Sequence, residues 1–221
     1  MPRSAVQEFP LYSTSERRAD LLVHAVGVTA GVHGVAWMLA VLAGAEALPA
    51  RTVWSLVVYG LGLLGMLVAS ASYHVASPGP RKAFLRRIDQ VMIFAMIAGT
   101  YTPFTLVGLR GGVEGDALCA AVWSVAAMGA AVKFCCPGRF ERLGLGLYLG
   151  LGWAILAVIG PLSASLSPQG LWLLAMGGVI YTAGVVFYLL EDLPYHNALW
   201  HLMVLIAATC HFAAIAMEFV P

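Results

Sequence analysis

The sequence predicts an all-α integral membrane protein, built as a bundle of seven transmembrane helices. Of its 221 residues, 61% are hydrophobic and only 10% are charged. A soluble domain of this size carries roughly 25% charged residues. Seven apolar stretches each approach the ~20 residues that a helix needs to cross a bilayer. Polar segments containing most of the Lys and Arg residues separate these stretches.

The predicted spans cover residues 20–43, 53–75, 88–107, 117–135, 144–162, 170–190 and 198–219. Within a bilayer, only helices and closed β-barrels satisfy the backbone hydrogen-bonding groups. The stretches are too long and too uniformly apolar for barrel strands, so we expect helices. Residues 1–19 are polar and form a predicted cytoplasmic N-terminal segment. Residues 20–221 form one transmembrane domain, because the loops are too short to hold a soluble domain.

The distribution of Lys and Arg residues predicts the orientation of the chain. Ten of the twelve lie on one side of the bundle: Arg3, Arg17, Arg18, Arg81, Lys82, Arg86, Arg87, Lys133, Arg139 and Arg142. Only Arg51 and Arg110 lie on the other side. Cytoplasmic loops carry an excess of Lys and Arg, so we expect a cytoplasmic N-terminus and an external C-terminus. The net charge of +1 offers no basic face for nucleic acid, and we expect no such partner.

Glycine residues predict where the helices pack against one another. The chain contains 24 of them, and membrane helices approach closely through small side chains. Two series are candidate contact faces: Gly60, Gly62 and Gly65, and Gly144, Gly146, Gly150 and Gly152.

Rare polar residues lie at the ends of three spans, all on the predicted cytoplasmic side. Ser70 and His74 end the second span on one helix face, Asp89 begins the third, and His201 lies near the start of the seventh. Ionisable groups at membrane depth are costly and indicate a functional site. The alternative is that these histidines are hydrogen-bonded packing residues.

Zinc is the cofactor that this constellation favours. Zinc accepts imidazole nitrogens and prefers four ligands, so His74 and His201 are predicted metal ligands. Zinc-bound water is a nucleophile near neutral pH, and Asp89 could hold or deprotonate it. Ser70 could orient the water or stabilise an oxyanion. His196 is a further candidate ligand, provided that the start of the seventh helix is irregular, because it lies five residues before His201.

Two other groups of polar residues complete the prediction. Glu16, Asp20 and His24 are spaced by four on the first span, so they form one stripe. We expect this stripe to surround the metal ligands, and the alternative is a charge cluster at a helix start. His211 lies about 15 Å along the helix from His201, too far for the same ion, and is expected to hydrogen-bond across the bundle.

These motifs resemble the hemolysin III branch of the progestin and adipoQ receptor (PAQR) family over nearly the whole chain, from about Glu16 to Phe212. The first-span stripe is similar to the family's Glu-x3-Asn-x3-His, with Asp20 in the Asn position, and Ser70-x3-His74 matches its Ser-x3-His. The remaining matches are Asp89, the run from Ile97 to Phe104, Trp200-His201 and Cys210-His211-Phe212.

The resemblance implies a seven-helix bundle with a cytoplasmic N-terminus and a zinc ion held by three histidines near the inner leaflet. Two of those positions map onto His74 and His201. The third lies four residues before the last histidine, where this chain has Asn197, because the order here is His196-Asn197. The third ligand is therefore left open between His196, Asn197 and Asp89.

The family also resembles the alkaline ceramidases in its Ser, His and Asp pattern, which implies a zinc-dependent hydrolase of lipid amides or esters. One alternative is a non-catalytic protein with structural zinc that senses or maintains membrane fluidity. Pore formation is less favoured, because the spans contain few charges to line a channel. We expect a bacterial inner-membrane location and a membrane lipid as partner, and leave a homo-oligomer open.

Overall fold

The computed structural model describes residues 12–109 and 112–221, apart from the side chain of Glu141. The α-helices within these residues are α1 (Thr14–Gly44), α2 (Ala50–Val75), α3 (Pro80–Pro103), α4 (Val113–Cys135), α5 (Glu141–Trp153), α6 (Ile159–Ser165), α7 (Pro168–Leu189) and α8 (His196–Phe219). A π-helical segment, Phe104–Gly108, extends α3, and a 3-10 segment, Ala154–Val158, joins α5 to α6.

Seven helical stretches in the described part of the chain are long and apolar enough to cross a membrane. The α5–α6 stretch counts as one of them. The prediction of an all-α, seven-span bundle is therefore confirmed. Arg3 and Arg110, which contributed to the predicted charge bias, lie outside the described residues, as does most of the predicted N-terminal segment.

Some helices begin before the predicted spans, because polar residues form their first turns. α1 begins at Thr14 rather than at 20, since Ser13 and Glu16 form a capping box. The Glu16 amide donates to Ser13 Oγ at 3.2 Å, and the Ser13 amide donates to the Glu16 carboxylate at 2.9 Å. α3 begins at Pro80, a residue that is favoured at the first helical position.

The fifth predicted span is broken, and Tyr101 of α3 supports the break. Its hydroxyl donates to the carbonyl oxygens of Leu151 at 2.7 Å and Gly152 at 3.1 Å. The same hydroxyl accepts from the Ile155 amide at 2.7 Å. A membrane helix can depart from α geometry where neighbouring side chains satisfy the freed backbone groups.

The first glycine series packs as predicted, and the second largely does not. An added Cβ at Gly62 would lie 3.2 Å from the carbonyl oxygen of Ala95, so α2 and α3 meet there almost backbone to backbone. In α5, Gly144 packs against Lys133. No described atom lies within 4 Å of an added Cβ at the other three positions of that series: Gly146, Gly150 and Gly152. The predicted contact face is wrong for those three, because an added Cβ there would lie in open space.

Contacts between helix termini define the two ends of the bundle. We call the end at which α1 begins the proximal end and the opposite one the distal end. At the distal end, Arg51 near the start of α2 pairs with Asp116 near the start of α4. Glu218, near the end of α8, accepts a hydrogen bond from the Ser167 amide just before α7 at 3.1 Å. Neighbouring long helices therefore run in opposite directions, and α8 begins at the proximal end.

Candidate metal centre

Four side chains that can bind a metal meet at the proximal end of the bundle. Asp20 and His24 come from α1, His74 from α2 and His201 from α8. One potential ligand atom from each lies within 4.8 Å of those from the other three. Asp20 and His24 are buried, and the other two are partly buried. Helices that are distant in sequence thus provide a compact group of one carboxylate and three imidazoles.

The Asp20 carboxylate joins the histidines of two other helices. His201 Nδ1 lies 2.6 Å from Asp20 Oδ1, and His74 Nδ1 lies 2.9 Å from Asp20 Oδ2. A carboxylate in this position can bind a metal directly. It can also accept hydrogen bonds from ligating imidazoles and so fix their tautomers and orientation. Either role makes Asp20 part of the centre.

His24 shows most directly that these residues fit a metal ion. Its Nε2 atom is buried and has no hydrogen-bond partner among the described residues. The ring centroid lies 4.8 Å from that of His74 and 4.4 Å from that of His201. A buried nitrogen without a partner is costly, and a bound cation would satisfy it. Imidazole nitrogens and carboxylate oxygens are ligands that zinc accepts.

The geometry differs from the sequence prediction in the part that α1 plays. The structure brings the predicted ligands His74 and His201 together, and it places Asp20 and His24 in the same group rather than around it. The spacing of four on α1 was the available signal. Glu16, the third member of that stripe, instead accepts a hydrogen bond from the Tyr195 amide at 3.0 Å. It thereby ties the start of α1 to the residue that precedes α8.

The other candidate ligands lie beside the group of four. His196 is not a member of the group. Its ring centroid lies 5.8 Å from that of Tyr12, and its Nδ1 atom is buried without a described partner. Asn197 Nδ2 lies 3.5 Å from the Nδ1 atoms of both His74 and His201. The amide therefore borders the centre at the position where the resembled family has a histidine.

Asp89 and Ser70, the predicted catalytic pair, line the same cavity as the three histidines of the metal group. Ser70 is close enough to Asp89 for its hydroxyl to interact with the carboxylate. Asp89 is also close enough to His201 and Arg86 to interact with them electrostatically. Neither Asp89 nor Ser70 belongs to the group of four. This carboxylate is therefore available as a separate acid or base beside the candidate metal ligands.

A cavity of about 530 Å³ begins at this centre and continues between the helices. Small-molecule sites typically measure ~300–1,000 Å³. Ser70, His74, Asp89 and His201 line its polar end, together with Tyr12 near the start of α1. Burial, with a further contribution from Tyr73 and nearby carboxylates, raises the pKa of Tyr12 to about 12, so this phenol is neutral at physiological pH.

Apolar side chains line most of the remaining cavity wall. They come from several helices and include Met66, Ile97, Phe104, Leu149, Leu156 and Leu174. His211 contributes a second polar group, far from the metal centre. Its Nε2 atom donates to the Leu174 carbonyl oxygen of α7 at 3.2 Å, which confirms the predicted hydrogen bond across the bundle.

The fold and the centre together define the class of this protein. It is a multi-pass membrane protein in which a seven-helix bundle encloses a carboxylate–histidine group capable of holding a metal. The chain belongs to the haemolysin-III-related family, whose family model matches residues 13–212. The resemblance seen in the motifs is thereby confirmed.

Individual relatives match most of the chain. It is 33% identical over 195 residues to the hemolysin-3 homolog of Bacillus subtilis (strain 168), covering 88% of this chain and 90% of that relative. Identity to hemolysin-3 of Bacillus cereus is 32% over 207 residues, or 93% of each chain. The human monocyte to macrophage differentiation factor is 30% identical over 172 residues, covering 74% of this chain and 68% of that protein.

Proposed function

We propose that this protein is a zinc-dependent hydrolase that cleaves an amide or ester bond of a membrane lipid. One observation carries the proposal: three of the four potential metal ligands and the Ser70–Asp89 pair line one end of a single cavity, whose remaining wall is mostly apolar. The polar end has the groups that hydrolysis needs, and the apolar part suits an acyl chain. The location within the bundle favours a substrate that enters from the bilayer.

The residues of the centre would divide the work of the reaction. His24, His74 and His201 would hold the ion, and Asp20 would fix the rings of His74 and His201 by accepting hydrogen bonds from them. Three protein ligands would leave room for water, and bound zinc would supply a Lewis acid and lower the pKa of that water. Asp89 accepts a proton from the attacking water and returns it to the leaving nitrogen or oxygen as the scissile bond breaks. Ser70 would orient the Asp89 carboxylate, to which it lies close. The products are a fatty acid and an amine or alcohol.

The direct test is the release of free fatty acid from defined lipids by the purified full-length protein in nanodiscs. A ceramide offers an amide bond, and a diacylglycerol offers esters. The Asp89→Asn variant is expected to lose about 10²–10⁴-fold in rate, the usual contribution of general acid–base catalysis. Asp192→Asn is the matched control, because Asp192 is exposed outside the cavity and should retain the wild-type rate.

Two results would contradict the proposal. Equal rates for wild type and Asp89→Asn would remove Asp89 from the mechanism. Hydrolysis that continues after complete removal of metal by a chelator would exclude a metal-dependent reaction.

A second candidate function is non-catalytic, with zinc serving only to join α1, α2 and α8. The number of donors favours it, because four protein ligands complete the usual shell of a structural zinc site. Such a protein would sense or maintain membrane fluidity. Metal removal would then lower its thermal stability, while no tested lipid would be hydrolysed by the wild type. The polar-to-apolar cavity leads us to place the hydrolase first.

The name hemolysin, which both Bacillus relatives carry, suggests pore formation as a third possibility. We place it last, because the seven spans have few charged side chains to line an aqueous channel. For the location, we propose a bacterial inner membrane with the proximal end facing the cytoplasm. The excess of Lys and Arg at that end supports this orientation.

A further inference from the structure

A second polar site lies on the wall of the same cavity, far from the metal group. Tyr181 of α7 and His211 of α8 both line the cavity, and their ring centroids are 5.5 Å apart. His211 follows His201 by ten residues on one continuous helix, which corresponds to about 15 Å along the axis. Apolar residues such as Leu174 and Ile155 line the cavity as well. Two polar sites thus share one largely apolar cavity.

Two tyrosine hydroxyls lack hydrogen-bond partners among the described residues: that of Tyr181 on the cavity wall, and that of Tyr59, which does not line the cavity. Tyr59 of α2 is fully buried, and its hydroxyl has no described partner. No hydrogen bond joins the Tyr181 hydroxyl to any described residue either. The two phenols are close enough to interact electrostatically, and Tyr181 packs against the core cluster that contains Tyr59. Tyr181 lines the cavity, so a polar group of a ligand in the cavity could pair with its hydroxyl, which has no protein partner.

His211 adds a hydrogen-bond acceptor to this site. Its Nε2 atom donates to the Leu174 carbonyl oxygen, which leaves Nδ1 of the neutral ring as an acceptor. The ring is held in place because Gly177 has no side chain, and an added Cβ there would overlap it. The Tyr181 phenol as donor and the His211 imidazole as acceptor together match a hydroxyl group, which both donates and accepts hydrogen bonds.

We propose that Tyr181, with His211, binds a hydroxyl group carried along the acyl chain of the lipid in the cavity. This inference rests on the proposed function in one respect, namely that an acyl chain occupies the cavity. An extended polypeptide reaches at most ~3.6 Å per residue and has three backbone bonds per residue. An extended acyl chain therefore advances about 1.2 Å per bond. A separation of about 15 Å therefore corresponds to roughly twelve bonds from the bond at the metal centre. The ligand class is a lipid with a hydroxy-acyl chain substituted near its twelfth carbon.

Equilibrium binding of free fatty acids to the purified full-length protein tests this site without requiring turnover. The probes are octadecanoic acid and its 12-hydroxy and 2-hydroxy derivatives, followed by tryptophan fluorescence, since Trp153 and Trp200 line the cavity. The wild type is expected to bind the 12-hydroxy acid about tenfold more tightly than the unsubstituted acid, equivalent to about 1.4 kcal/mol. The Tyr181→Phe variant should reduce this preference to less than about threefold, with unchanged affinity for octadecanoic acid.

Tyr188→Phe is the matched control, because Tyr188 lies two turns from Tyr181 on nearly the same face of α7, toward the proximal end. It should keep the tenfold preference. Equal wild-type affinity for the three acids would overturn the second site. The same conclusion follows if Tyr181→Phe keeps the full preference. In either case, binding of octadecanoic acid would leave the proposed function standing, whereas failure of all three acids to bind would overturn both proposals.

Discussion

Asp20 is the residue on which the geometry of the centre depends most. Its two carboxylate oxygens contact imidazoles from α2 and α8, and His24 lies one turn further along α1. The resembled motif has Asn at this position, and a histidine where this chain has Asn197. Relative to the motif, this chain has a carboxylate in place of an amide on α1. It also has an amide in place of an imidazole on α8. We infer that α1 compensates for the imidazole missing from α8.

The unpaired hydroxyl of Tyr59 gives a prediction about stability. In delipidated protein, Tyr59→Phe removes a buried polar group that has no partner, so the free energy of unfolding should stay the same or rise. Thermal unfolding in detergent measures this change. Tyr101→Phe is the comparison, because its hydroxyl makes three backbone hydrogen bonds, and its loss should cost about 1–3 kcal/mol. Equal destabilisation by the two substitutions would contradict the assignment of Tyr59 as unpaired.

At the scale of the helices, hydropathy predicted the number and order of the spans but not their irregularities. The long apolar stretches are a strong signal, because a bilayer leaves the backbone few alternatives to helix. The 3-10 segment at 154–158 lies within an equally apolar stretch and depends on Tyr101, a residue about fifty positions away in sequence. The local hydropathy pattern does not reveal a partner so distant in sequence. The same reasoning explains Gly146, Gly150 and Gly152 of α5, where the sequence suggested a contact that the fold does not make.

The close approach of α2 to α3 gives a prediction at this scale. Gly62→Val should destabilise the bundle by about 1–3 kcal/mol, the usual cost of overpacking, because the nearest atoms are backbone atoms of Ala95 and Met96 that cannot move aside. The control is Gly150→Val in α5, where no described atom lies within 4 Å of an added Cβ. Thermal unfolding of both variants in detergent measures the difference. A smaller effect at Gly62 than at Gly150 would contradict the described packing.

At the scale of the whole molecule, the sequence predicted which helix ends would converge but not the full set of residues at the centre. Ser70, His74, Asp89 and His201 follow from span counting, because alternating spans bring their ends to one side. Asp20 and His24 required the packing of α1 against α2 and α8, which a stripe on one helix does not specify. Orientation, zinc as the metal, and a homo-oligomer stay predictions.

The excess of Lys and Arg at the proximal end predicts the orientation of the chain. In a bacterial inner membrane, alkaline phosphatase fused after Pro221 should be active, because the distal end would face the periplasm. A fluorescent protein fused after Pro221 and exported by the general secretion pathway should not fluoresce. A fusion after Ala76, between α2 and α3, should show the reverse pattern. Fluorescence of the C-terminal fusion would contradict the predicted orientation.

The metal content of purified full-length protein tests most directly whether α1, α2 and α8 form one zinc centre. Wild type and His196→Ala should each contain about one zinc per chain, because His196 lies outside the group of four. His24→Ala and His74→Ala should both lose most of it. Elemental analysis of the four proteins, purified in parallel, gives the answer. Wild-type protein that contains no zinc would contradict the centre described here. A His24→Ala variant that keeps its full zinc content, while His196→Ala contains none, would also contradict it.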